Sequence, residues 1–179
     1  LADRVVQHPD LDFVIGSLHE LSDQEDFFSL TYTPETIPAL MEQYFSELLT
    51  ICQWGKFDVL GHLTYPLRYI EGEHGFSVPC SAYEEQIRQC FSAVIQAGKG
   101  IELNVSGLRQ KYGKPFPTLE LLRLYRELGG EILTIGTDAH CAADLGSHLS
   151  DGMQLAKEAG FRYLCWFERH QPQFTAISI

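Results

Sequence analysis

The stretch GGEILTIGTDAH, residues 129 to 140, places a helix end, a buried strand and two chemically reactive side chains in immediate succession. The glycine pair is typical of a helix terminus, and the apolar run 131–136 predicts a β-strand. Asp138 and His140 follow that strand directly. Residues two apart in an extended chain point to the same side, so this carboxylate and this imidazole can converge on one object, such as a metal ion. The same spacing also occurs in an ordinary solvated turn with a capping Asp.

Apolar runs and helical periodicities alternate over the rest of the chain. Further strands are predicted at 12–18, 58–63, 100–105 and 162–167, and helices at 33–54, 81–97, 118–128 and 142–159. Ser81, three residues before Glu84, predicts a capping box at the start of the second helix. The alternation indicates successive βα units with a parallel sheet, either doubly wound or closed into a barrel. Because the first strand is not followed by a glycine-rich phosphate loop, a dinucleotide-binding fold is disfavoured.

Composition predicts one globular domain over residues 1–179, with 45% hydrophobic and 21% charged residues. The sequence contains neither an apolar stretch of the ~20 residues that a membrane span needs nor a signal-peptide pattern at its start, so a cytoplasmic protein without membrane contact is expected. Five cysteines without a C-x-x-C pair are expected to be reduced thiols. The net charge of −11 opposes binding to nucleic acid.

Polar side chains of the metal-binding or substrate-binding type follow four successive predicted strands. They are His19 after the first strand, His62 at the end of the second, Asn104 and Arg109 after the third, and Asp138 and His140 after the fourth. The carboxyl ends of parallel strands face one common rim, where ligands bind. A lone histidine is more often a packing residue, but the set together supplies the nitrogen and oxygen ligands that suit Zn, Mn or Fe.

Two arginines lie in segments that continue from predicted strands. Arg109 belongs to the loop NVSGLRQKYGKPFP, and Arg68 lies in HLTYPLRY after His62. A rim arginine can bind a phosphate group bidentately, although a solvated arginine is the ordinary alternative. Arg109 is the stronger candidate for substrate binding and Arg68 the weaker one.

Five blocks of the sequence, in order and with their spacing, resemble one known family. The blocks are DFVIGSLHEL, FDVLGHLTYPLRY, IELNVSGLR, GGEILTIGTDAH and EAGFRYLCWFERHQP. Together they resemble the histidinol-phosphate phosphatase branch of the PHP (polymerase and histidinol phosphatase) superfamily. The resemblance runs over nearly the whole chain.

The resemblance implies a distorted βα barrel, usually of seven parallel strands and similar to a TIM barrel, with up to three divalent metals (Zn, Mn or Fe) at its carboxyl rim. It implies that His19 and His62 bind one metal, Asp138 a second and His140 the third. Asp138 and His140 are then the expected catalytic residues, and Arg109, with Asn104 and Arg68, the expected substrate-binding residues. The implied reaction is hydrolysis of the phosphomonoester L-histidinol phosphate in histidine biosynthesis.

Two departures from the family pattern affect these expectations. Thr137 replaces the usual serine of the GSDAH block, and the family's opening His-x-His motif, further histidines and a metal-bridging glutamate are absent. We therefore expect an N-terminally incomplete barrel with fewer metals and weak or no activity. It is either a C-terminal fragment whose open sheet edge is covered by self-association, or a product of proteolysis or of a misannotated start. Two alternatives to histidinol-phosphate phosphatase stay open, namely another phosphoesterase of the same superfamily and a non-catalytic phosphate-binding module.

Overall fold

A four-stranded parallel sheet forms the centre of the fold. The computed structural model describes residues 2–22 and 24–178. Its strands β1 (Ile15–Gly16), β2 (Val59–Leu60), β3 (Gly100–Asn104) and β4 (Leu133–Gly136) lie side by side in chain order. Each neighbouring pair is parallel, as successive βα units require. The predicted α/β class with a parallel sheet is confirmed, although β1 and β2 are much shorter than the apolar runs that predicted them.

Helices connect the strands and cover the sheet. They are α1 (Ala2–Val5), α2 (Ile37–Trp54), α3 (Glu84–Gln96), α4 (Leu119–Glu127) and α5 (Leu149–Glu158). Short 3₁₀ turns lie at Phe27–Ser29, Cys80–Tyr83, Ser106–Arg109 and Ala142–Asp144, and a π-helical segment at Arg68–Glu73. Among the described residues there is no helix that is both long and apolar enough to cross a bilayer.

Three predicted helices begin later than expected, and the first of them, α2, starts at Ile37 and not at residue 33. Ser81 lies inside a 3₁₀ turn, and α3 begins after Tyr83, which makes no side-chain capping hydrogen bond. The predicted capping box was therefore wrong. The helix predicted at 142–159 is divided, because Gly146 and His148 adopt left-handed φ values of 77° and 57°. Such backbone angles interrupt a right-handed helix, so α5 starts only after His148.

A strand lies at the predicted position 162–167, but the prediction that it joins the parallel sheet was wrong. Strand β5 (Tyr163–Glu168) pairs antiparallel with β6 (Gln171–Ala176), a strand that the sequence had not suggested, in a separate two-stranded sheet. Arg169 and His170 form the connection, with φ values of 50° and 61°. A two-residue loop with both residues in the left-handed region matches the twist of a hairpin, so the chain reverses instead of crossing back over the sheet.

The turn of this hairpin contacts the segment that precedes β1. The backbone N–H groups of Arg169 and His170 donate to the side chain and the carbonyl of Asp12, each at 2.9 Å. Phe167 stacks on Phe13 with ring centroids 4.9 Å apart. His170 Nδ1 lies 2.8 Å from a carboxylate oxygen of the buried Asp58. The hairpin thus contacts the segment before β1 at the amino ends of the strands, opposite the rim.

The hydrophobic core lies between the sheet and helices α2, α3 and α4. Its fully buried side chains include Tyr44, Phe45, Leu48, Ile87, Phe91, Val94, Ile101, Leu103, Leu122 and Tyr125. Helix α5 approaches the sheet closely at Gly152, where an added Cβ would lie 2.4 Å from Ile135 Cδ1. This packing holds the carboxyl ends of the strands in place, which is where the candidate site lies.

The cysteines provide a test of the packing. All five thiols are free, as expected from their spacing, and Cys141 is the exposed one. Burial raises the pKa of Cys80 to about 11, which keeps its thiol protonated and slow to react. With Ellman's reagent at pH 8 we expect one fast thiol in the native protein and five after denaturation, and Cys141→Ser should remove the fast phase. Two or more fast thiols in the native protein would contradict the packing.

Candidate functional site

Two histidines from successive strand ends meet at the rim. His19 follows β1 and His62 follows β2, and because these strands are adjacent and parallel their ends lie side by side. The two Nε2 atoms are 3.0 Å apart. Tyr65 packs against both rings, with centroid distances of 4.8 Å to His62 and 5.2 Å to His19. His62 is buried whereas His19 is exposed, so the pair opens toward solvent on one side.

The buried histidine is suited to bind a cation as a neutral ligand. Burial, with the neighbouring His19 as a second cause, lowers the pKa of His62 to about 4. Its ring therefore carries a free nitrogen lone pair at neutral pH. Its Nδ1 atom is buried and has no hydrogen-bond partner among the described residues. Such an unpaired polar atom is costly in a protein interior and is uncommon in folded proteins.

Asp138 lies beside the same rim, after β4. Its Oδ1 is 3.2 Å from Nε2 of the exposed His140, and its Oδ2 is 3.4 Å from Nη2 of Arg68. Burial alone would raise the pKa of Asp138, but the Arg68 guanidinium and the His62 and His140 imidazoles hold that pKa below its usual value. Asp138 is therefore ionised at neutral pH. Its φ of 49° is a left-handed value that Asp tolerates better than most residues.

Arg68 connects the second strand end with the third and the fourth. It begins the π-helical segment, and its Nε donates to Gln110 Oε1 at 2.7 Å. Its Nη2 donates to Ser106 Oγ at 3.2 Å and also approaches Asp138. The guanidinium lies 5.2 Å from the centre of the Tyr65 ring. A partly exposed cation is thus held beside the histidine pair by several fixed partners.

Arg109 makes contacts mainly with the backbone of the loop after β4. Its Nη1 and Nη2 donate to the carbonyls of Thr137 and Asp138 at 2.6 and 2.7 Å, and its Nε lies 3.4 Å from Asp144. These contacts fix the loop that carries Asp138. Contact of Arg109 with a substrate phosphate stays a prediction.

Asn104 is buried at the base of the site, not at its opening. Its amide donates to Glu102 Oε2 at 3.1 Å, and its Oδ1 accepts from the Ser106 backbone N–H at 3.0 Å. The bonds observed are internal to the protein, so a substrate contact of Asn104 also stays a prediction.

The sequence reasoning missed Glu102, a buried carboxylate in the middle of β3. Its Oε2 accepts from the backbone N–H of His62 at 3.0 Å as well as from Asn104. Burial raises the pKa of Glu102. The stretch GIELN was predicted only as a strand. Glu102 and Asn104 are two positions apart in it and therefore share a face. Two polar residues on one face of an otherwise apolar strand were the available signal for a polar interior.

The histidine pair fits a divalent metal as two of its ligands. Two nitrogens at about 2.0–2.1 Å from one tetrahedral zinc ion lie about 3.3 Å apart, close to the observed separation of the two Nε2 atoms. Within residues 2–22 and 24–178, however, no group of three or more His, Cys, Asp or Glu side chains is arranged to hold a metal. Water, substrate or other protein groups would have to complete the coordination.

The carboxyl ends of the parallel strands bring imidazoles, a carboxylate and arginines together. Such an arrangement is a rim site of the kind that α/β enzymes use. Comparison with known sequences gives the family. The PHP domain profile matches residues 3–106, which is more than half of the 179-residue chain. The chain belongs to the PHP domain family.

Curated relatives of this chain are named as histidinol-phosphatases or probable histidinol-phosphatases. A probable histidinol-phosphatase from Thermotoga maritima is 32% identical over 125 residues, which cover 70% of this chain and 51% of that protein. A histidinol-phosphatase from Lactococcus lactis subsp. lactis is 28% identical over 159 residues, covering 87% and 58%. This chain spans between 51% and 64% of the length of the curated relatives that it matches.

Two solved structures share the fold. One is histidinol phosphate phosphatase from Lactococcus lactis subsp. lactis, complexed with zinc, L-histidinol and phosphate. It superposes with a TM-score of 0.68 at 23% identity, covering 96% of this chain and 65% of that one. A putative histidinol phosphatase from Listeria monocytogenes gives a TM-score of 0.61 at 19% identity, covering 80% and 58%.

Proposed function

We propose that this chain is part of a metal-dependent phosphomonoester hydrolase whose substrate is L-histidinol phosphate. The observation that carries the proposal is the facing pair of Nε2 atoms of His19 and His62, 3.0 Å apart, beside Arg68 and the ionised Asp138. Cation ligands and guanidinium groups at one rim suit a phosphate ester, which needs positive charge around its oxygens. The names of the relatives, and the zinc, L-histidinol and phosphate in the Lactococcus structure, support the same substrate.

We further propose that the four parallel strands are a part of a distorted, TIM-like seven-stranded barrel, and that residues 1–179 belong to a single domain. The side-by-side order of β1 to β4 supports the barrel, because a barrel of βα units places successive strands next to each other. Strand β1 lies at one edge of the sheet, and we keep self-association through this edge as a prediction. A cytoplasmic location also stays a prediction.

The metal of this proposal is divalent, with zinc favoured over manganese or iron by the Lactococcus structure. His19 and His62 would hold one ion, while Asp138 and His140 are the proposed ligands of others. When bound, such an ion polarises a phosphoryl oxygen and activates a water molecule for attack. The net charge of −11 would otherwise repel an anionic substrate, and local cations at the rim offset that repulsion.

The side chains around the metal ligands have separate proposed roles. Arg68 and Arg109 supply positive charge for the phosphate oxygens, and Arg109 also holds the loop of Asp138 by its two backbone contacts. His140 is exposed and its Nε2 lies 3.2 Å from Asp138 Oδ1, so these two proposed catalytic residues meet at the open side of the rim. Asn104 acts from below, through the hydrogen bonds that order the base of the rim.

A non-catalytic phosphate-binding module is the second candidate. It is favoured by the absence, among the described residues, of a group of three or more side chains able to hold a metal. In that case the arginines at the rim would bind phosphate without a metal, and hydrolysis would not follow.

One experiment separates these proposals. The purified chain is loaded with Zn²⁺ or Mn²⁺, its bound metal is measured by elemental analysis, and phosphate release is followed with L-histidinol phosphate and a panel of other small phosphomonoesters. We expect bound metal and metal-dependent hydrolysis with preference for L-histidinol phosphate, at a low rate because few ligands are present. Preference for another ester would favour a different phosphoesterase. Metal-free protein that binds inorganic phosphate but hydrolyses none of the phosphomonoesters would favour the module.

A further inference from the structure

The buried carboxylate of Glu102 lies at the centre of the hydrogen bonds beneath the rim. One of its oxygens, Oε2, accepts from the His62 backbone N–H at 3.0 Å and from the Asn104 amide at 3.1 Å. Only 6% of the residue is exposed. Two donors that converge on one buried acceptor fix its position, because moving it would leave both of them unsatisfied. Glu102 therefore connects the end of β2 with β3.

The same hydrogen bonds continue to the other side of the rim. Asn104 Oδ1 accepts from the Ser106 backbone N–H at 3.0 Å, and Ser106 Oγ accepts from Arg68 at 3.2 Å. Arg68 in turn approaches Asp138 at 3.4 Å. A continuous series of contacts thus runs from the backbone of His62 to the carboxylate of Asp138, with Glu102 at its start.

The backbone of His62 needs such support. Its φ of 23° lies in a region that non-glycine residues seldom adopt, and a strained conformation persists only where the surroundings determine it. The bond from its N–H to Glu102 is a direct restraint on that conformation. Space for the carboxylate comes from Gly136, where an added Cβ would lie 2.1 Å from Glu102 Oε1. Gly136, which precedes Thr137 and Asp138, thus leaves room for the Glu102 side chain.

We propose that Glu102 is a positioning residue of the metal site, holding the His62 backbone so that its imidazole faces His19 at ligand distance. The inference rests on the proposed function, because it takes His19 and His62 as metal ligands. Glu102 acts by the reach of its acceptor oxygen and not by its charge. Groups that orient metal ligands commonly change metal affinity 10- to 100-fold when they are removed.

Two conservative substitutions of Glu102 separate the effect of its side-chain length from the effect of its charge. Glu102→Gln removes the charge and keeps an oxygen that reaches both donors, whereas Glu102→Asp keeps the charge but shortens the side chain by one methylene. We expect E102Q to bind Co²⁺ with nearly wild-type affinity and an unchanged visible absorption spectrum. We expect E102D to bind about 10- to 100-fold more weakly, with an altered spectrum. Thr134→Val is the matched control, because Thr134 pairs in register with Glu102 on the adjacent strand and lies outside this series of contacts.

The experiment distinguishes failure of this inference about Glu102 from failure of the proposed function. If the wild-type chain binds no Co²⁺, the metal site itself is refuted. If it binds Co²⁺ and E102D binds equally well, only the role of Glu102 is refuted. Weak binding by E102Q together with normal binding by E102D would show that charge matters and would also overturn the inference. Amide hydrogen exchange of the metal-free protein around His62 adds a readout independent of metal, and should be faster in E102D than in E102Q.

Discussion

Replacing His62 with Asn should lower the affinity of this protein for Zn²⁺ by about 100-fold or more, since even partners of a metal ligand contribute 10- to 100-fold. His62 is the buried member of the facing pair, and its lowered pKa leaves it neutral at the pH of the measurement. Asn suits the site because it tolerates the left-handed backbone that His62 adopts, so the fold should persist. Competition titration with a chromophoric chelator at pH 7 measures the change.

His8→Asn is the matched control for this prediction. His8 is exposed and outside the rim, and its ring contacts the nearby Asp10, accepting a hydrogen bond from the Asp10 backbone N–H. The same chemical change there should leave Zn²⁺ affinity unaltered. Equal affinities for His62→Asn and His8→Asn would mean that metal binds elsewhere, and the proposed site would have to be abandoned.

Replacing Phe91 with Ala should lower the free energy of unfolding by about 3–5 kcal/mol, the range for deleting a buried aromatic side chain. Phe91 is fully buried in α3 and packs on Tyr125 of α4 with ring centroids 5.1 Å apart. Truncation removes that contact and leaves a cavity between two helices that support the sheet. Urea denaturation of the metal-free protein, followed by circular dichroism, measures the change.

Phe28→Ala makes the same truncation at an exposed position. Phe28 is 76% exposed in the 3₁₀ turn Phe27–Ser29, so we expect its loss to change stability by no more than about 0.5 kcal/mol. If both variants had the same stability, α3 would not pack on α4 as described.

The sequence predicted those parts of the fold that depend on local patterns. The apolar run of β4 between the glycine pair and Asp138 appears where the periodicity indicated, and the long amphipathic α2 ends at Trp54 as predicted, although it begins four residues later than predicted. The placement of His19 and His62 also followed from sequence, because adjacent parallel strands must end side by side. The family was identified from five spaced blocks, not from any single motif.

Features that depend on distant contacts could not be predicted in the same way. The left-handed pair Arg169 and His170 lacks the Asn-Gly or Gly residues that usually signal a hairpin, so the reversal into β6 was invisible in the sequence. Glu102 was hidden because its partners come from residues 62 and 104, which only the sheet brings to it. The contacts of Arg109 with two carbonyls likewise arise from a loop 28 and 29 positions further along the chain.

The hairpin turn at Arg169 and His170 has a consequence for biosynthesis. Its bond to Asp12 joins residues 157 positions apart, a very long separation in sequence for a single contact. Long loops close late in folding, because their entropy must be lost before any contact compensates for it. During translation, Asp12 must therefore wait until Arg169 and His170 have left the ribosome before this junction can form.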